Sequence, residues 1–597
     1  MKKLLILLFI VHVINFAQDK DHNPEITAKE IKSHLEFLAS DKMKGRFSGS
    51  PEERMAGEYI KEQFKSYGLK PAFNGSWFQE FPFIEKVEMT KINSVKIISD
   101  NKKQVLKPSI DFTTLGFSGK TKINSELVFV GYGISAPKLN YDDYNGIDVK
   151  GKIVIAMKNH PEHDSSKSEF EKFISLRNKA NTAKEKGAVG IIFVNGYYPK
   201  NDDLLSEPKY DGAPAMKDFA VIQIKREIIE SLLKSKNFLL EKIQKQIDIN
   251  KKPNSFELKN IIVDLSTEVK EVQKTARNVG GILEGTDPVL KNEYIVIGAH
   301  YDHLGIDQLK DASMYKGTDK QIHNGADDNA SGTTGVLEVA EKFASVKNNL
   351  KRSILFLAFS GEELGILGST YFTNNSPIEI NKIVAMLNMD MVGRLNNENN
   401  LTIIGSGTSS KWKEILNNKN KYDFKLSMSD GGSGGSDHQA FSNKNIPVLF
   451  FFTGTHNDYH KPSDDVDKIN FTGEEKVLNF VFDIGNEIQQ LPEKPDYVKV
   501  IEQPQRPTGR ARVTVGTVPE FGYNGNGYKL SGTTEGGPAA KAGLKSGDII
   551  IKFGPKSVGN IYDFMYAVQD YKAGDKVDVI VLRDGKEMTF TLELIAK

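Results

Sequence analysis

Four apolar runs of strand length each end on a side chain that can bind a metal or move a proton. Tyr294-Ile-Val-Ile-Gly298 leads into Ala299-His300-Tyr-Asp302-His303, and Ile354-Leu-Phe-Leu-Ala-Phe359 leads into Ser360-Gly-Glu362-Glu363. Ile383-Val-Ala-Met-Leu387 gives Asn388-Met-Asp390, and Ile446-Pro-Val-Leu-Phe-Phe-Phe452 precedes Thr455-His456-Asn-Asp458-Tyr-His460. A fifth dense stretch, His323-Asn-Gly-Ala-Asp327-Asp328-Asn-Ala-Ser-Gly332, stands before a helical pattern through Val336, Leu337, Ala340 and Phe343. The set His300, Asp328, Glu363, Asp390 and His460 offers two imidazoles and three carboxylates without thiolate. Zinc accepts such a mixture in catalytic sites that keep a position open for water, whereas calcium asks for oxygen alone. Five donors are too many for one catalytic zinc and suit two that share a carboxylate; such a pair acidifies water and polarises a carbonyl. Glu362 adjoins a ligand without being needed as one, so it is the candidate base. Asp302 lies two residues beyond His300 and in extended chain points to the same side, where it can brace the imidazole. Each residue alone reads as a helix cap or a solvated charge; only the ordered set points to hydrolysis at metal. His303, His323, His438 and His456 read as structural or as outer partners of the ligands.

Continuous apolar runs fit strands covered on both faces, and their alternation with helical patterns from Arg277 to about Leu491 predicts a doubly wound α/β sheet. Such sheets bind ligands beyond the carboxyl ends of their strands, which is where the candidate side chains fall. The segment from Ile26 to Gly68 has helical spacing through Ile31, Leu35, Leu38, Ala56, Ile60 and Phe64, interrupted by a loop at Lys44-Gly-Arg-Phe-Ser-Gly-Ser50. Residues 92–265 carry β-type runs at Glu126-Leu-Val-Phe-Val130, Lys152-Ile-Val-Ile-Ala156 and Gly190-Ile-Ile-Phe-Val194. His160 and His163 in this region read as part of a solvated charged loop and not as a metal site. A linker over 492–507 leads to a final domain over 508–597.

A length of 597 residues suggests roughly three to five domains. A formal net charge of +1 argues against a broad nucleic-acid-binding face. Lys2 and Lys3 followed by the apolar run from Leu4 to Phe16 and by Ala17 make a secretory signal peptide over residues 1–17. That run is short of the roughly 20 residues a membrane span needs, so no transmembrane span is expected in the mature chain. With no cysteine, neither disulfides nor a lipid-bearing cysteine is available. Export to the periplasm, the cell envelope or the exterior is the expected localisation.

The series Gly298-Ala-His300-Tyr-Asp302, Gly325-Ala-Asp-Asp328-Asn-Ala-Ser-Gly332, Gly361-Glu362-Glu363-Leu-Gly365, Asn388-Met-Asp390 and Tyr459-His460-Lys-Pro-Ser-Asp464 resembles the co-catalytic di-zinc aminopeptidase family. That family also holds glutamate carboxypeptidase, glutaminyl cyclase and the non-enzymatic transferrin receptor. The leading segment, from Leu38-Ala-Ser-Asp41 through Gly45-Arg46 to Gly68-Leu-Lys-Pro71, is likewise similar to the family and would pack against the sheet. The resemblance implies two Zn2+ ions bridged by Asp328, one completed by His300 and Asp390, the other by Glu363 and His460. It assigns Glu362 as general base and later as acid to the leaving amine, and a cis peptide at Asp328–Asn329. Asn329 stands where many relatives have a third acidic residue, which implies altered metal tuning. Tyr459 is a candidate donor to the oxyanion. The peptidase core would comprise 18–91 and 266–491, as a mixed, mostly parallel doubly wound sheet.

The insertion over 92–265 resembles a β-rich protease-associated (PA) domain through Val128-Phe-Val-Gly-Tyr-Gly133, Asp142-Asp-Tyr144 and Gly187-Ala-Val-Gly190. Such a domain would wall the cleft and limit substrate size. Gly525-Asn-Gly527-Tyr-Lys-Leu530 and Gly547-Asp-Ile-Ile550 resemble a PDZ domain, implying a C-terminal peptide as a ligand beside the peptide substrates. Aminopeptidase chemistry is the expectation. A carboxypeptidase or dipeptidase on the same metals is the alternative, and a non-catalytic peptide-binding protein is a third reading that the intact ligand set disfavours.

Overall fold

A computed structural model describes residues 24–596 apart from 100–101, 164–167, 212, 307, 310–311, 501–512, 520–526, 535, 560–563, 565–566 and 569–570. The leader read at 1–17, residues 501–507 of the linker and Gly525-Asn526 of the PDZ loop lie outside the described residues.

The chain enters through two helices whose starts are written in sequence. Thr27 caps Ala28–Leu38 by accepting from Glu30 N, and Ser50 caps Pro51–Ser66 by accepting from Glu53 N, with Pro51 in the first turn. Between them Asp41–Arg46 forms a short 3-10 turn rather than open loop, with Lys44, Gly45 and Arg46 all at positive φ. Both helices lie on one face of a nine-stranded sheet together with Gly332–Ser345 and Phe471–Gln490. Leu367–Asn374 and His438–Ser442 cover the other face. Helices 332–345 and 471–490 cross closely at Gly335, where a Cβ would stand 2.6 Å from Leu478 Cδ2.

The sheet order is Lys70–Pro71, Val269–Leu283, Ser353–Phe359, Tyr294–His300, Ile383–Met389, Val448–Phe452, Asn400–Ile404, Lys425–Ser429, with Phe78–Met89 also paired to Val269–Leu283. Strands 294–300, 353–359, 383–389 and 448–452 are buried at every residue except the half-buried Tyr294, as their unbroken apolar runs require, and they run parallel. The sheet is mixed around this parallel centre, as expected: 400–404 is antiparallel to 448–452, and strands 70–71, 78–89 and 269–283 pair antiparallel. The reason is the insertion. Both of its ends leave the core side by side, at Met89 opposite Val269, and chain that goes out and returns at one place must do so on antiparallel strands.

The insertion folds on its own eight-stranded sheet, ordered Lys102–Leu106, Ser94–Ser99, Phe256–Thr267, Thr121–Phe129, Ile153–Met157, Gly190–Val194, Ala220–Ile224, Phe112–Thr114, with apolar cores on both faces. His160 and His163 do not sit in a solvated loop. His160 is fully buried with Nε2 3.1 Å from Glu171, and His163 Nε2 is 3.1 Å from Asp248, which also accepts from the Tyr132 hydroxyl at 2.6 Å. Each imidazole found its own carboxylate on another part of the insertion, which the local run of charges did not reveal. The C-terminal strands Thr517–Pro519, Tyr528–Thr533, Ile549–Phe553, Lys576–Arg583 and Lys586–Glu593 close around a third core with Pro538–Ala542. Among the described residues no helix is long and apolar enough to cross a membrane.

Candidate metal centre

At the carboxyl edge of the parallel strands the five candidate donors converge. His300 Nε2 lies 3.4 Å from Asp328 Oδ1 and 3.4 Å from Asp390 Oδ2. His460 Nε2 lies 3.1 Å from Asp328 Oδ2 and 3.3 Å from Glu363 Oε2. Asp328 thus presents one oxygen to each group. Four donors about 2.0–2.1 Å from a tetrahedral ion stand about 3.3 Å apart, so both groups have the spacing that zinc demands. His303 competes with His460 for the second group, because its Nδ1 is also near Asp328 and Glu363. The distances decide between them: Nδ1 is 2.6 Å from Glu363 Oε1, a hydrogen-bond length, and 4.0 Å from Asp328. His303 therefore holds the outer oxygen of Glu363 and leaves the inner one free.

The bridging position is built by tertiary contacts. Gly325 turns the chain at φ +58, where a Cβ would meet Asp328 O at 2.2 Å. Asp464 Oδ2 accepts from both Asp327 N and Asp328 N at 3.0 Å, and the Asp328–Asn329 peptide is cis. Asn329 ties this segment to the next ligand: its Nδ2 donates to Met389 O at 3.0 Å and its Oδ1 accepts from Gly332 N at 2.8 Å and Met391 N at 3.2 Å. Asp390 Oδ2 accepts from Ser436 Oγ at 2.7 Å. His300 closes its own strand, and its carbonyl accepts from Thr333 Oγ1 at 2.7 Å.

Asp302 acts on His300 through its backbone and not through its carboxylate. His300 Nδ1 is 3.2 Å from Asp302 O but 3.7 Å from Oδ1. The strand stops at His300, so the extended geometry that would aim the carboxylate at the ring has ended. The carboxylate instead accepts from Ser48 Oγ at 2.7 Å and from Glu362 N at 3.2 Å, linking the first ligand segment to the candidate base.

Beneath the cluster lies Arg46, which the sequence did not single out as functional. It is fully buried, and its guanidinium donates to Tyr301 O at 2.9 Å, Leu38 O at 2.5 Å, Asn324 O at 2.7 Å and Gly325 O at 3.0 Å. Burial draws its pKa down to about 10, opposed by Asp302, Asp328, Asp464 and Glu363, so the cation survives at neutral pH. Asp437 was missed as well; its carboxyl is fully buried, and burial pushes it up to about 7, opposed by His300 and Ser369. The signal for both residues was weak, since an Arg in a Gly-rich turn and an Asp beside a His are common on surfaces.

The ligand cluster is strongly polarised. Burial alone would favour neutral forms, but the histidines hold Glu363 down at about 2 and Asp328 well below the usual carboxylate range. Against the same burial, Asp328 and Glu363 raise His460 to about 11, and Asp390 and Asp328 raise His300 well above its ordinary value. The carboxylates thus draw both imidazoles toward their protonated forms. Divalent ions suit that donor set, and their binding displaces those protons. Glu362 differs: burial, then Glu363, Asp390 and Asp437, raise it well above the carboxylate range in spite of His300. His456 pairs with Asp327 at 3.1 Å, and His438, stacked on Phe450 at 4.6 Å between ring centroids, is drawn down to about 3 by burial. Neither belongs to a donor group, though each lies beside a residue that contacts one.

The cluster opens onto a cavity of about 200 Å³ walled by Met391, Ile404, Phe450, Phe452 and Tyr459 and floored by Asp328, Glu362 and Asp390. Three family models match the chain: Peptidase family M28 over residues 278–484, PA domain over 123–232 and PDZ domain over 526–594. Aminopeptidase YwaD of Bacillus subtilis (strain 168) is 25% identical over 382 residues, covering 62% of this chain and 70% of that protein. Leucine aminopeptidase 2 of Trichophyton rubrum is 26% identical over 266 residues, covering 39% of this chain and 49% of its own length, about half of the fungal protein. The solved aminopeptidase from Aneurinibacillus sp. strain AM-1 aligns with a TM-score of 0.46 at 22% identity, over 80% of this chain and 97% of its own. The ordered motifs, the donor geometry and the matched domains agree: residues 278–484 are similar to peptidase family M28, residues 123–232 to a PA domain and residues 526–594 to a PDZ domain.

Proposed function

We propose that the protein is an exported di-zinc aminopeptidase that releases apolar residues from the N-termini of peptides. The observation that carries this reading is the composition of the cavity wall. Asp328, Glu362 and Asp390 offer negative charge to a terminal ammonium, while none of the described lining residues is Arg or Lys, which a terminal carboxylate would need. The apolar walls suit an aliphatic or aromatic first side chain. The names of the curated relatives support the same direction.

His300, Asp328 and Asp390 would hold one zinc, and Asp328, Glu363 and His460 the other. When bound, such a pair supplies Lewis acidity to the scissile carbonyl and lowers the pKa of nearby water. The remaining steps belong to the chain. Glu362 lines the cavity beside His300, 4.0 Å from its Nε2, where its carboxylate takes the proton of the attacking water and returns it to the leaving amine. Asp302 fixes the backbone of Glu362 through the 3.2 Å contact to its N–H. The Tyr459 phenol is raised above its ordinary pKa by burial and by Asp328, Glu363 and Asp390, so it stays protonated and can donate to the developing oxyanion. The C-terminal domain, by its kind, would take up a peptide C-terminus as an added strand.

The deciding test is digestion of defined peptides read by mass spectrometry. Shortening from the N-terminus, fastest for apolar first residues and blocked by N-acetylation, is expected; shortening from the other end would replace this reading with the carboxypeptidase one. A strong chelator is expected to abolish turnover and lower the melting transition of the peptidase core, and added zinc to restore both. Activity undiminished after verified metal removal would exclude the metal-dependent reading.

A further inference from the structure

Like Asp328, His460 is a donor that no strand end delivers directly. It sits in a turn after Val448–Phe452, and its backbone lies in the left-handed region at φ +54. A non-glycine residue holds that conformation only where its surroundings impose it. The surroundings come from the segment between Gly305 and His323, nearly 150 residues earlier. Ala312 O stands 3.0 Å from His460 Nδ1, and Met314 N donates to His460 O at 2.9 Å. The first contact places the ring proton on Nδ1 and turns the Nε2 lone pair toward Asp328 and Glu363. The second holds the strained backbone. Two consecutive grips on one residue need a rigid base.

The base is a serine–histidine pair. Ser313 Oγ, between the two gripping residues, lies 2.7 Å from His323 Nε2. His323 Nδ1 faces Gln321 O at 3.2 Å, so that nitrogen carries the proton and Nε2 accepts from the hydroxyl. Tyr315 N donates back to Ser313 Oγ at 3.1 Å. With its one proton committed at 2.7 Å, Ser313 leaves His460 O, 3.4 Å away, to Met314 N. His323 is itself anchored in the core: it is buried, its N–H donates to Gly305 O at 3.0 Å, and Gly305 N donates to Gly45 O at 3.1 Å. Gly45, at φ +68, permits that approach, since a Cβ there would come within 2.4 Å of His323 O.

We propose that Ser313 and His323 are positioning residues that set the ring and backbone of His460 for one of the two metal ions. The inference rests on the di-zinc reading for its consequence, though the clamp itself is a property of the metal-free chain. The sequence left His323 as structural or as an outer partner of the ligands and did not single out Ser313; the contact between them supplies the role.

The test uses the full chain, freed of metal and titrated with zinc against a competing chelator. Ser313→Ala is expected to weaken one zinc ten- to a hundredfold, the range for lost outer hydrogen bonds to a ligand, while the other stays within twofold of wild type. Ser313→Thr, which keeps a hydroxyl, is expected to recover most of the loss. Hydrogen exchange at the Met314 amide, measured without metal, is expected to quicken in Ser313→Ala and to return toward the wild-type rate in Ser313→Thr. Two zinc affinities unchanged in Ser313→Ala, or both weakened in parallel, would overturn the proposal, as would unaltered exchange at Met314. If wild type itself takes up no zinc, the peptidase reading fails separately, and the exchange experiment still reports on the clamp.

Discussion

Glu362→Gln is expected to leave two zinc ions bound and to reduce kcat by about 10²–10⁴-fold, with KM changed only a few-fold. The argument is one of position. Glu362 and Glu363 are adjacent in the chain, yet Glu363 Oε2 stands 3.3 Å from His460 Nε2 at donor spacing, while the closest approach of Glu362 to His300 Nε2 is 4.0 Å. The two side chains also face different charges. Imidazoles draw Glu363 down to about 2, whereas Glu362 is pushed up by burial and by Glu363, Asp390 and Asp437. A ligand needs the first environment and a proton acceptor the second. Glutamine at 362 keeps the volume and the backbone contact to Asp302, so proton transfer is lost together with one of the three carboxylates facing the terminal ammonium, which accounts for the few-fold change in KM. The neighbouring change, Glu363→Gln, is expected to act through the metal instead, lowering zinc content. Elemental analysis beside steady-state kinetics separates the two outcomes, and a Glu362→Gln enzyme with wild-type kcat would remove Glu362 from the mechanism.

Arg46→Ala should lower the stability of the peptidase core by about 3–5 kcal/mol, the range for stripping one partner from a buried charged network. The guanidinium is fully buried and joins carbonyls of Leu38, Tyr301, Asn324 and Gly325, which flank the segments bearing His300 and Asp328. Alanine leaves those carbonyls unpaired and removes a cation that faces Asp302, Asp328, Asp464 and Glu363. Arg46→Lys is expected to recover less than half of the loss, since one ammonium on a flexible stem cannot match a planar fork that reaches four acceptors. Three separate cores make global unfolding unsuited to a two-state treatment. The measurement is therefore the melting transition that zinc shifts, followed with and without metal. A transition unmoved by Arg46→Ala would show that the carbonyls find other partners.

These two residues mark where sequence reasoning succeeds and where it stops. The donor set was legible because each member follows a local, recognisable element: a buried strand that must end somewhere, or a helix that must begin. Unbroken runs such as Ile354 to Phe359 admit few other readings, and the chemistry of five ordered imidazoles and carboxylates narrows the rest. Arg46 carried no such signal, because its partners lie up to 279 residues away and a cation in a turn is ordinarily solvated. Asp302 failed in the other direction. Extended geometry was assumed past His300, and the chain turns there, giving the imidazole a carbonyl and the carboxylate to Glu362.

By itself the sequence determined the order of the matched domains, the parallel core strands and the chemical character of the candidate donor set, since each follows from periodicity and residue type within short windows. Tertiary structure alone decided which oxygens of Asp328 face which histidine, that His303 grips Glu363, that His460 is held from the segment before His323, and that the cavity wall is acidic and apolar with neither Arg nor Lys among its described residues. Hydrogen bonds and charges act over a few ångströms in space, and folding brings together residues whose separation along the chain says nothing of that distance.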